Sequence, residues 1–396
     1  MRRLGTLLVS SWLACAPGTA RAQGLVARVE ASAAGAVSTA PDVNRQYLLR
    51  VIPQLDWGVA LTPTWNLDLT ASADATTSGS YLSNRKVSDD SDVTGHRAWV
   101  RLASPRFEAR VGLQQISFGS ASIFRPLMWF DRVDARDPMQ FTNGVYGALA
   151  RYVTAGNASL WAWGLYGNDG PRGWDTLKTK KDTAEFGGRA QVPLLGGEIA
   201  GSVHHRRVDT SSFAAGASGV VLPAEGLPRD QPAPSTGAWA SENRAGLDGK
   251  WDLGIGVWFE ASLTHTDSAD LRNPWQPSWV VGADYTFGIG RGLTLLGEHF
   301  FLDPAVPRLA PSAETDITAV TATYPFGAVN MLTGAFYYEW HRGDSYRFVE
   351  WRRTYDHWRL HMVGFWNPDR VSLFAPGAQA NALTGKGFEL VIVASY

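Results

Sequence analysis

Apolar and polar residues alternate along most of this chain, in segments of roughly ten residues separated by polar connections. Over 107–115, Phe107, Ala109, Val111 and Leu113 fall on one face, while Glu108, Arg110, Gly112 and Gln114 fall on the other. Over 65–74, Trp65, Leu67, Leu69 and Ala71 alternate with Asn66, Asp68, Thr70 and Ser72. Over 97–102, Ala98, Val100 and Leu102 alternate with Arg97, Trp99 and Arg101. Successive side chains of a strand point to opposite faces, so period two predicts strands with one apolar and one polar side. The chain holds about eighteen such segments, with about sixteen as the lower count.

A soluble sandwich would alternate in the same way, and the connections separate the two readings. Short turns are predicted near 104–105, 154–157, 193–197, 288–292 and 325–327. Between them lie long polar stretches at 75–92, 119–143, 168–181, 209–238, 303–314 and 367–384, with one short connection on the long side at 342–344. Tight turns on one rim and long loops on the other are the mark of an antiparallel transmembrane β-barrel. Only a closed barrel lets strands satisfy every backbone N–H and C=O inside lipid. The predicted fold is therefore all-β, a single barrel over 23–396, with its long loops facing the cell exterior.

The ends of the chain add to this. Residues 1–22 read as a signal peptide: Arg2 and Arg3, an apolar run from Leu4 to Ala16, then Ala20-Arg21-Ala22 before Gln23. Cleavage there removes Cys15, the one cysteine, and with it disulfide or thiol chemistry. It also removes three of the 36 basic residues and no acids, leaving 33 against 37 and a net charge near −4. That balance excludes a polycation and makes nucleic acid a poor partner. A hydrophobic fraction of 45% fits a barrel, where only alternate strand residues meet lipid. Seventeen tryptophans, among them Trp57, Trp65, Trp251, Trp279, Trp340, Trp358 and Trp366 near segment ends, suggest interfacial girdles.

The last segment, 387–396, puts Phe388, Leu390, Ile392, Ala394 and Tyr396 on one face. It resembles the terminal strand of outer-membrane proteins, whose final aromatic residue is read by the barrel assembly machinery. Arg110, Gly112, Gln114, Ile116, Phe118 and Gly119 are similar to an R-x-G-x-Q-x-I-x-F/W-G strand of porin-like and alginate-export-like outer-membrane families. The resemblance implies a channel in the outer membrane, in contact with its lipids, and is compatible with a homo-oligomer. In porins the third long loop folds into the lumen and sets the constriction. Here 119–143 is third in order, and it carries Arg125, Asp131, Arg132, Asp134, Arg136 and Asp137, an arrangement of opposed charges suited to an eyelet.

Alternation also turns Arg50, Arg97, Arg101, Arg110, His204, Arg206, Arg244 and Arg359 toward the lumen, with Asp68, Glu108, Glu198, Glu242, Glu260, Asp284 and Glu298. The arginines of the early strands could attract anions; the acids among them could equally form stiffening ladders. No catalytic or metal-binding constellation is legible. His204 and His205 point to opposite faces, the spacing of Asp131, Asp134 and Asp137 lacks the glycine of a calcium loop, and no serine is tied to a histidine by a motif. No cofactor is implied. The expected function is passive passage of small hydrophilic solutes, anions among them. An adhesion or envelope-assembly platform, suggested by the Pro/Gly/Ala/Ser-rich stretch 211–235, and a dedicated polysaccharide exporter are the alternatives.

Overall fold

The alternating segments become strands, each paired antiparallel with the next. The computed structural model describes residues 24–131, 141–170, 172–211, 239–306, 313–369 and 383–396. The strands in order are β1 (Gly24–Ser38), β2 (Arg45–Ala60), β3 (Asn66–Leu82), β4 (Arg85–Ala103), β5 (Phe107–Gln114) and β6 (Val145–Val153). There follow β7 (Ser159–Leu165), β8 (Glu185–Leu194), β9 (Gly197–Asp209), β10 (Trp239–Asp252), β11 (Gly256–Thr266) and β12 (Trp275–Phe287). The last third holds β13 (Leu293–Leu302), β14 (Thr315–Phe326), β15 (Asn330–Glu339), β16 (Asp344–Thr354), β17 (Trp358–Trp366) and β18 (Lys386–Ser395). β1 pairs with both β2 and β18, from Ala31 opposite Val51 and Ala394, so the 18-stranded sheet closes on itself without an edge.

Period two sorts the side chains. Val100, Val111, Leu263, Val281, Val320 and Val349 face outward and are exposed, as are Trp57, Trp340, Trp358 and Trp366 at or near strand ends. In water such a surface would cost about 25 cal/mol per Å²; against hydrocarbon it costs nothing, which is why a lipid-facing band tolerates it. Arg101, Arg110, Ser262, Glu298 and their alternates face inward. The tight turns fall where glycine or another residue of positive φ is needed. Leu195 (φ 52°) and Gly196 (φ 79°) form the two-residue β8–β9 turn, whose handedness matches the strand twist.

Two features depart from the sequence reading. The stretch 75–92 is not a loop. β3 and β4 stay paired from Ala75 opposite Val93 to Leu82 opposite Arg85, closing through Ser83 and Asn84. This hairpin is polar on both faces (Thr76, Thr77, Ser78 and Ser80 on one strand), so it has strand hydrogen bonding without the apolar alternation that signals a strand. The inner wall is also not uniformly polar. Val280, Phe300, Ile317, Ala319, Tyr337, Phe348, Val363 and Phe365 point inward from β12–β17 and form a buried apolar cluster.

Candidate pore constriction

The β5–β6 connection is the third on the long-loop rim. Two glycines that the backbone requires mark its start, Gly112 near the end of β5 and Gly119 beyond it. Gly112 has φ +123°, and a Cβ there would collide with the Ala98 carbonyl of β4. Gly119 has φ +108°, and a Cβ there would collide with the Glu260 carboxylate. Beyond Gly119 the chain meets β10–β13, five to eight strands away around the ring, so it crosses the interior to reach them.

There it is held by carboxylates instead of by strand pairing. Glu298 accepts the backbone N–H groups of Ser122 (2.7 Å), Ile123 (3.0 Å) and Phe124 (2.8 Å), and the indole N–H of Trp258 (2.8 Å). Glu260 accepts those of Ala121 (2.7 Å) and Leu127 (3.2 Å). Ser120 donates to Asp248 (3.1 Å), and the Trp129 indole donates to Ser262 (3.1 Å). Irregular backbone buried in a barrel has to find such partners, and bonds to an ionised acceptor are the strong kind. Apolar contacts add to the attachment. Phe124 stacks on Phe300 at 5.1 Å and meets Tyr337 edge-on, while Phe118, Leu127, Trp129 and Phe130 pack with Leu149, Trp163 and Leu165.

The β7–β8 connection locks onto this loop. Gly173 N–H donates to the Asp131 carbonyl (2.8 Å), the Trp174 indole to the Arg125 carbonyl (3.1 Å), and the Thr176 hydroxyl to the Ala305 carbonyl (2.9 Å). Beneath it lies a buried ionic network. Arg206 and Arg244 each bind both Asp175 (2.6 Å) and Glu242 (2.5 and 2.7 Å). Arg172 and His204 share Glu185, and Arg189 binds Asp248 at 2.5 Å. Each of these side chains is at most 8% exposed. A cavity of about 40 Å³ remains between Trp129, Trp174, Asp175, Arg206 and Glu242.

The wall formed by β2–β5 is different. Arg101 lies opposite Asp68 on one side and Arg110 on the other, and Arg110 is held by Glu108 at 2.8 Å. Arg101 and Asp68 are 3.1 Å apart and about one third exposed; Arg110 and Glu108 are 19% exposed. Arg97, four residues or about 13 Å along β4 from Arg101 toward the long-loop rim, donates to the carbonyls of Thr142 and Asn143 (3.1 Å each) and so holds the returning limb of the loop. Arg50 pairs with Asp74 at 3.2 Å and covers the Phe141 ring at 3.8 Å. Water therefore reaches Arg101, Asp68, Arg110 and Glu108 but not the paired charges sealed beneath the β7–β8 connection, while Arg50 and Asp74 are only 13% and 9% exposed. Arg359 lies apart, at the short-turn rim, 3.6 Å from Glu30.

No protein-family model matches the chain, and no curated protein is similar to it in sequence. Solved structures do match. OccK5 (OpdH) of Pseudomonas aeruginosa is 12% identical with a TM-score of 0.55, covering 94% of this chain and 97% of that one. OccAB4 of Acinetobacter baumannii is 9% identical with a TM-score of 0.54, covering 94% and 97%. An anion-selective porin from Comamonas acidovorans is 9% identical with a TM-score of 0.47, covering 94% and 99%. The fold is a porin-type β-barrel.

Within this porin-type barrel, Arg125 and Asp131 of the predicted constriction are described, while Arg132, Asp134, Arg136 and Asp137 lie outside the described residues. Arg125 donates to the Ser117 hydroxyl and the Phe118 carbonyl at the loop's own base. Asp131 accepts the Gly144 N–H at 3.0 Å, closing the loop's two limbs. Burial pushes its carboxyl above the usual carboxylate range, with the Gly144 N–H and the Arg97 and Arg125 charges pulling it back. Arg206 and Arg244 point inward but are sealed beneath the β7–β8 connection, and Glu298 is spent on the loop backbone. The sequence reading missed Asp175, Arg172 and Arg189. Alternation from Glu185 places Arg189 inward, whereas Arg172 and Asp175 sit in an aperiodic loop that gives no such signal.

Proposed function

We propose that the chain is an outer-membrane, porin-like channel for passive diffusion of small hydrophilic solutes, with anions favoured. One observation supports this above the others. The β5–β6 loop is fixed against β10–β13, and opposite it stands a polar wall where Arg50, Arg97, Arg101 and Arg110 descend from the loop toward the short-turn rim, Arg101 and Arg110 being more open to water than Arg50. A solute moving along that wall would exchange part of its hydration for guanidinium contacts, which is how charged rings set preference. The loop, with Arg125 and Asp131, would set the size limit as the third extracellular loop. Residues 1–22 would direct export, and the Tyr396-terminated β18 would be presented to the assembly machinery. A homo-oligomer is compatible with this reading and is tested by the mass of the detergent-solubilised chain.

The reading is tested by swelling of proteoliposomes holding the refolded chain. Small hydrophilic solutes should enter, and a small monocarboxylate should enter faster than a neutral solute of equal size. Impermeable vesicles containing folded protein would overturn it.

A further inference from the structure

On the outside of the barrel, at the long-loop rim, a short piece of the β7–β8 connection extends the sheet. Lys180 N–H donates to the Arg207 carbonyl (2.8 Å) and Asp209 N–H to the Lys178 carbonyl (2.9 Å), with Thr179 opposite Val208. Thr179 and Val208 point inward and are buried. Period two therefore turns Lys178, Lys180, Arg207 and Asp209 outward. Trp239, opposite Asp209 on β10, also faces outward and is 47% exposed. Its ring has the Lys180 ammonium 5.0 Å from its centre and the Arg207 guanidinium 4.7 Å away.

The other charges on this patch are Lys178, Asp209, Lys181 and Asp182. Lys178 is 3.6 Å from Asp209. Lys181 and Asp182 are exposed at its edge. Among the described residues Lys180 and Arg207 enter no ion pair, so two cations stand unneutralised on one indole. Their height decides what meets them. The outward face of β9 runs from Val203, 60% exposed, through His205 to Arg207, about 13 Å along the strand at about 3.3 Å per residue and so a climb of about 10 Å for a strand tilted by about 40°. Phe186 of β8 is exposed beside His205. An apolar strip thus ends in a polar pair, His205 and Asn243 at 2.8 Å, and then in cations with a tryptophan. That order matches hydrocarbon, interface and headgroup.

We propose that Lys180, Arg207 and Trp239 form a binding site for the phosphorylated headgroup of a bilayer lipid, with its chains lying along Val203 and Phe186. A guanidinium can take two phosphate oxygens at once, an ammonium supplies a third contact, and the indole packs on the glycerol or sugar below. The site requires the barrel to stand in a bilayer and is independent of whether it conducts.

The test is native mass spectrometry of the detergent-solubilised full chain, titrated with phosphatidate, with diacylglycerol, and with inorganic phosphate alone. Wild type should retain phosphatidate in preference to diacylglycerol, and inorganic phosphate should neither bind alone nor displace the lipid at equal concentration. Lys180→Gln/Arg207→Gln should reduce phosphatidate retention at least tenfold, Trp239→Phe by less, and Lys86→Gln on the β3–β4 hairpin not at all. Each variant is first checked for the heat-dependent gel shift of a folded barrel. Retention unchanged in the folded double variant would overturn the site. Equal binding of inorganic phosphate would show an anion pocket and overturn the lipid.

Discussion

Glu298 is the place where the proposed constriction can be loosened with least disturbance of the barrel. Its Oε1 accepts Ser122 N–H and the Trp258 indole, and its Oε2 accepts Ile123 N–H and Phe124 N–H. Glutamine keeps one acceptor oxygen and puts an NH2 group, itself a donor, in front of two N–H groups. Two charge-assisted bonds are lost in either orientation, at about 1.5–3 kcal/mol each. The Trp258 indole belongs to the wall, so the loop itself loses either the Ser122 bond or those of Ile123 and Phe124; its attachment weakens by about 1.5–6 kcal/mol, or about one to four powers of ten in the ratio of docked to undocked loop at about 1.4 kcal/mol per decade. What remains on the β10–β13 side is Glu260 with its two backbone bonds, the Ser120–Asp248 and Trp129–Ser262 bonds, and the buried Phe124 ring, whose burial contributes about 1.5–3 kcal/mol, besides the packed Leu127, Trp129 and Phe130 side chains. Glu298→Gln alone should make the open-channel current noisy as the loop lifts and re-docks. Adding Phe124→Ala, a cost of about 3–5 kcal/mol, should raise the mean conductance. Both are read from single-channel records in planar bilayers. Folded variants with wild-type conductance and noise would refute the claim that this loop limits the passage.

The accessible arginines should set ion preference: Arg101→Gln/Arg110→Gln should shift the zero-current potential under a salt gradient toward cations, and an unchanged potential would assign them to wall stiffening. Arg206→Ala leaves Asp175 buried without one of its partners and should cost about 3–5 kcal/mol, seen as a lower midpoint of urea unfolding; a loss below about 1 kcal/mol would contradict the sealed network. Gly112→Ala puts a side chain at φ +123° against the Ala98 carbonyl, and should lower the folded fraction in gel-shift assays of refolding, where wild-type yield would show that β4 and β5 can part without penalty.

Much of the fold was legible because lipid and water impose opposite demands on alternate residues. Val111 outward and Arg110 inward follow from that demand alone, as does the count of strands, and the turn predicted near 193–197 falls at Leu195 and Gly196. It fails where both faces are alike. The 75–92 hairpin is polar on both sides, and the stretch from Phe300 to Leu302 is apolar on both, so neither strand ends nor the inner cluster could be read there. Within the site, alternation pointed Glu260 and Glu298 inward but could not say what they hold. Their partners are backbone N–H groups 133 to 176 residues away in sequence, which carry no side-chain signature. Arg50, Arg97, Arg101 and Arg110 share one wall because β2, β4 and β5 lie within four strands of one another. Arg206 and Arg244 share their inward direction but are covered by a loop whose path no periodicity describes.

Single-channel recording of the refolded wild-type chain tests the central claim most directly. The account predicts stepwise conductance increments with a zero-current potential on the anion side. Silent bilayers, from protein that shows the strand spectrum and heat-dependent gel shift of a closed barrel, would contradict it.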